Sequence, residues 1–135
     1  MIGGRVLDTS ALVDYGTGRI YARALVSAAL GSGSLVLAVP AAALVAARGR
    51  LSESARAELD QLVRLSPVVV DGLSADVAAR AGDLLARARQ RPSGADAVAV
   101  AHVAFSARVR GWPVVTSDPG PLRALDAALE FDALP

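Results

Sequence analysis

The chain contains no cysteine, no lysine and no asparagine. Without cysteine there is no thiolate nucleophile, no Cys-ligated zinc or iron–sulfur centre and no disulfide scaffold. Without lysine there is no Schiff base, no Walker-type phosphate lysine and no lysine general base. Aromatic residues are few: Tyr15, Tyr21, Phe105, Trp112 and Phe131 cannot build an extensive base-stacking platform. One sign of charge does not dominate either. The 14 basic residues, all arginine, face 13 acidic ones for a formal net charge of +1, so no strong overall field attracts a polyanion. The missing asparagine and the abundant alanine read as coding bias rather than as function.

What is present describes a folded domain. The 135 residues suit one unit spanning 1–135, and 53% hydrophobic against 20% charged residues excludes intrinsic disorder. Residues 24–47 carry no charge and approach the length of a bilayer span, yet Gly31-Ser32-Gly33-Ser34 and Pro40 break them into shorter elements. The start, Met1-Ile2-Gly3-Gly4-Arg5, has no signal-peptide apolar region. A soluble, cytoplasmic protein without a membrane segment is therefore expected.

Apolar runs alternate with helical patterns along the chain. Residues 5–8, 35–39, 68–70, 113–116 and 130–134 read as strands. Helices are expected over residues 10–30 (with a break near Gly16 and Gly18), 41–48, 52–65, 74–88, from after Ser93-Gly94 to 109, and 121–129. Short, fully apolar strands alternating with helices predict a three-layer α/β sandwich: a central, mainly parallel sheet flanked by helices.

Ligands of open parallel sheets bind beyond the carboxyl ends of the strands, and two acids fall there. Asp8 follows Val6-Leu7, and Asp118 follows Val114-Val115-Thr116-Ser117. Asp96 sits at the start of the helix after Ser93-Gly94. Three converging carboxylates repel one another unless a divalent cation sits between them, and hard oxygen donors select Mg²⁺ or Mn²⁺. Each acid also has a simpler explanation. Asp8 and Asp118 have the position of helix N-caps, Ser93-x-x-Asp96 is close to a capping box, and Asp71 after the third strand reads as a cap or turn.

Asp8-Thr9-Ser10-Ala11-Leu12-Val13, Ser93-x-x-Asp96-Ala97 with an alanine-rich helix behind it, and Pro113-Val114-Val115-Thr116-Ser117-Asp118 together resemble the PIN-domain family, most closely its VapC-type toxins. The resemblance covers essentially the whole chain. It implies a PIN-like sandwich whose acidic pocket binds Mg²⁺ or Mn²⁺ and hydrolyses structured RNA such as tRNA or rRNA. Asp8, Asp96 and Asp118 match three of the family's four acids as catalytic and metal-binding residues, with Ser10 and Thr116 as supporting hydroxyls. The resemblance further implies a homodimer and a cognate VapB-like antitoxin, whose arginine often enters the acidic pocket.

The fourth family acid, a glutamate in the helix after the second strand, falls at Val45 or Ala46. The nearest glutamate, Glu53, lies roughly two helical turns further on. A degenerate PIN-fold protein that acts by binding is therefore the alternative expectation. His102 lies about 240° around the helix from Asp96 and is given no role; a partner-facing or partly buried position is expected. Arg87, Arg89 and Arg91, and Arg48 and Arg50, are candidate phosphate contacts or a solvated helix face. A phosphoacceptor receiver domain needs a lysine that is absent. Gly31-x-Gly33 precedes a strand and lacks the third glycine of a dinucleotide site.

Overall fold

A computed structural model describes residues 3–135; Met1 and Ile2, and with them part of the expectation for the N-terminus, lie outside the described residues. Five strands, β1 (Gly3–Leu7), β2 (Leu35–Pro40), β3 (Val68–Asp71), β4 (Val114–Thr116) and β5 (Phe131–Ala133), form one sheet in the order β3-β2-β1-β4-β5. Every neighbouring pair is parallel. Parallel strands need helical crossovers, which cover both faces. These are α1 (Thr9–Gly16), α2 (Ile20–Ser32), α3 (Ala41–Arg48), α4 (Glu53–Leu62), α5 (Ala75–Arg87), α6 (Ala97–Arg110) and α7 (Gly120–Leu125). The expected α/β sandwich is what the chain forms.

Local chemistry sets the boundaries. Asp8, Ser52 and Ser74 cap α1, α4 and α5 by accepting from the backbone N–H three residues on. The break expected near Gly16 and Gly18 falls at Thr17–Arg19 and divides α1 from α2. Gly33 and Gly111 adopt left-handed φ values of 69° and 66° that end α2 and α6. Helix α4 stops at Leu62, three residues before the expected end.

The core has a large-residue half and a small-residue half. Leu12, Leu37, Leu59 and Leu62 are fully buried, whereas α6 buries Ala99, Ala101, Ala104 and Ala107. Alanines let α6 lie close against β1, β2 and α3, so its N-terminus meets the carboxyl edge of the sheet. No described helix is long and apolar enough to cross a membrane.

His102 and Asp71 depart from expectation for one reason: α6 passes directly behind the β2–α3 turn and the edge strand β3. His102 is wholly buried rather than facing a partner, and its Nδ1 accepts the backbone N–H of Ala42 at 3.2 Å. Asp71 caps nothing. It takes Arg110 through Nε at 3.0 Å and Nη2 at 2.5 Å, tying β3 to α6. Burial pulls the His102 imidazole below its ordinary value, against the opposing pull of Asp71. The unfolded chain therefore takes up this proton more readily than the fold, so stability falls as pH drops through 6.5 towards the lower folded value. Melting temperature should fall on going from pH 7.5 to 5.5. In His102→Gln, which keeps an acceptor for Ala42 N–H, that dependence should flatten; an equally steep profile in the variant would refute it.

Candidate functional site

The sheet order creates a crevice. From β1 the chain winds to β2 and β3 on one side, while β4 and β5 extend the sheet on the other. The connections at the carboxyl ends of β1 and β4 therefore part company, leaving a cleft at the switch point. Asp8 leaves β1 and Asp118 lies two residues beyond β4, so both stand at this cleft. Asp96 closes a short 3₁₀ turn, Gly94–Asp96, at the head of α6. All three acids line one cavity of about 240 Å³, together with Ser10, Arg50 and Ser93.

Two hydroxyls lock the rim. Ser10 Oγ donates to Asp8 Oδ1 at 2.6 Å and accepts the Ser117 N–H at 2.9 Å, fastening the end of β4 to the end of β1. Thr116, fully buried, accepts the Asp118 N–H on Oγ1 at 3.0 Å, which fixes the turn that presents Asp118. Asp8 Oδ1 also accepts Ala11 N–H at 2.9 Å, so Asp8 is a helix cap and a wall of the cavity at once. The other two acids are not caps: Ser93, Asp96 and Pro119 make no side-chain capping bond.

The three carboxylates have different electrostatics. Burial pushes the Asp8 carboxyl above the usual carboxylate range, and hydrogen bonds from the Ser10 and Thr116 hydroxyls only partly offset this. No cation among the described residues pairs with it. Asp96 is held instead: Arg50 Nη2 donates to both Oδ1 and Oδ2 at 2.6 Å. Sequence reasoning placed Arg50 among candidate phosphate contacts or on a solvated helix face, because 46 residues separate it from Asp96. Its neighbour Arg48 pairs with Asp60, outside the cavity.

A divalent cation finds the right donor chemistry here, hard carboxylate oxygens around a penalised, unpaired Asp8. The described residues hold no ready-made group of three metal-ligating side chains. The donor set fits the ion in type, and both oxygens of Asp96 are engaged by Arg50. The position of the missing glutamate gives no help. Val45 is 73% exposed, and with Ala46, Leu73 and Val98 it lines a separate apolar groove that touches the acidic cavity only through Ala99. Glu53 starts α4, exposed, and does not line the cavity.

Comparison with known proteins places this arrangement. The family model for the PIN domain matches residues 5–127. No curated protein matches the chain. Among solved structures, VapBC2 from Rickettsia felis bound to a DNA fragment from their promoter superposes with a TM-score of 0.67 at 15% identity, covering 98% of this chain and 99% of that one. VapC20 from Mycobacterium tuberculosis, a Sarcin-Ricin loop cleaving toxin, gives 0.66 at 21% identity, covering 90% and 95%. At such identities the likeness is one of fold.

Proposed function

Because the chain belongs to the PIN domain family, we propose that its acidic cavity is the site of a divalent-metal-dependent endoribonuclease, a VapC-like toxin acting on structured RNA such as tRNA or rRNA. One observation carries this reading: Asp8, Asp96 and Asp118, far apart in sequence, line a single cavity at the switch point of the sheet. Two of them have no capping duty that would account for them otherwise.

Asp8, Asp96 and Asp118 would hold Mg²⁺ or Mn²⁺. The bound ion would supply a Lewis acid that lowers the pKa of water and offsets charge on the phosphoryl oxygens. The chain's own residues do the positioning. Ser10 fixes the Asp8 carboxylate against the end of β4, and Thr116 fixes the backbone that carries Asp118. Burial leaves the Asp8 carboxylate poorly compensated when ionised, and a cation beside it would offset that cost. One of the three carboxylates, through a bound water, would help to deprotonate the nucleophile.

The toxin reading brings partners with it. The similarity to the VapBC2 complex supports a VapB-like antitoxin as partner, and a cytoplasmic location is proposed with it. A homodimer is proposed beside it, and the chain does expose apolar side chains such as Ile20 (87%) and Val109 (67%). Val45 and Ala46 favour a second reading, a catalytically degenerate PIN protein that acts by binding.

Calorimetric titration with Mn²⁺, without RNA, separates the two. The nuclease reading expects saturable binding to the wild type that is lost in Asp96→Asn. Binding to neither protein would sink that reading and leave the degenerate one.

A further inference from the structure

Three acids and one base line the cavity, and the base is already in use. Arg50 comes from the loop after α3, the helix on which the glutamate's position is taken by Val45 or Ala46. Only its Nη2 is engaged, shared by the two oxygens of Asp96; its Nε and Nη1 have no hydrogen-bond partner among the described residues. Arg50 and Asp96 have side chains 48% and 52% exposed, and pairs this open to solvent hold loosely.

A phosphodiester carries negative charge and cannot enter a pocket of three carboxylates on favourable terms unless positive charge meets it there. Arg50 is the one basic side chain among the described residues lining the cavity. Guanidinium suits the task, since its fork of N–H donors matches two phosphoryl oxygens. We propose that Arg50 is the phosphate-binding residue of this pocket, parked on Asp96 until RNA arrives and then transferred to a phosphodiester oxygen. The inference rests on the RNA-cleaving reading above and extends it to a residue outside the acidic set. The exchange also releases Asp96. Phosphate and Asp96 compete for one cation, so whatever draws Asp96 away from Arg50 prepares Arg50 for the substrate.

The test is a double-mutant cycle read by fluorescence anisotropy of a short labelled single-stranded RNA, in EDTA so that neither cleavage nor metal binding contributes. Arg50→Gln should bind roughly fivefold to tenfold more weakly than wild type, with a salt slope shallower by about 0.7, the value of one phosphate contact on a single strand. Arg80→Gln, the same charge change outside the cavity, should have little effect. Asp96→Asn should tighten binding, and that gain should vanish when Arg50 is glutamine as well. Equal affinity and slope for Arg50→Gln and wild type, or an Asp96→Asn gain that survives the loss of Arg50, would overturn the proposal. So would a wild-type chain that does not bind this RNA at all; the reading on structured RNA would then stand or fall with the Mn²⁺ titration. Binding that ignores Arg50 but remains RNA-specific would leave the nuclease reading standing and remove only this residue.

Discussion

Asp8→Asn should melt at a higher temperature than the wild type and cleave RNA at least about 100-fold more slowly. The two effects share a cause. The folded chain holds Asp8 where burial disfavours its ionised form, so its pKa lies above that of the unfolded chain. A carboxyl raised in this way favours folding when protonated and costs stability once pH rises through the folded value. Above the unfolded carboxylate range that cost grows with pH. Asparagine removes the charge while keeping an oxygen for the Ala11 N–H and the Ser10 hydroxyl, and it caps helices as well as aspartate does. Differential scanning fluorimetry should show a rise of a few degrees. Mn²⁺ should raise the melting temperature of the wild type but not of Asp8→Asn, because ligand binding stabilises only the protein that binds. A lower melting temperature in the variant would refute the account of Asp8 as a strained acid. Undiminished cleavage would refute its place in the site.

The same residue shows how much of the site was legible in advance. Asp8 and Asp118 could be read because strand exits are written locally: an apolar run, then an acid. The parallel sheet puts both exits on one edge, and the switch between β1 and β4 brings them to one cavity. Asp96 could be placed at the head of a helix, but its partner could not. Arg50 reaches it only because α3 and α6 pack side by side, a contact that no local pattern encodes. His102, expected to face a partner or to be partly buried, was read incompletely for a related reason. Its angular position on α6 excluded it from the acid's face, yet nothing in the spacing said that the opposite face is equally buried. In a helix this rich in alanine, apolarity extends all round and marks no single buried side. The fully buried imidazole and the Asp71–Arg110 pair are features of tertiary packing, and a single sequence gives their residues without their meetings.

Gly4 illustrates the same gap at larger energetic scale. Gly3 and Gly4 open β1 and look alike in the sequence, but a Cβ at Gly4 would overlap the Trp112 indole at Cδ2, Cε3 and Cε2, whereas Gly3 has open space around it. Trp112 lies over the β1 backbone, with the Arg110 guanidinium 4.8 Å from its ring centroid, and Arg110 in turn holds Asp71 on β3. Gly4→Ala should therefore evict the indole rather than merely crowd it. A cost of about 2 kcal/mol is expected for such overpacking, or roughly 5–10 °C in melting temperature for a chain of this size. Gly3→Ala should be nearly silent. Trp112→Ala is itself destabilising, but in the Gly4→Ala background it should cost much less, because the ring it removes has already been displaced. Thermal melts of the four proteins in that cycle decide the matter. Strict additivity of the two losses would mean that Gly4 and Trp112 do not meet, and the packing of α6's C-terminal turn onto β1 would have to be redrawn.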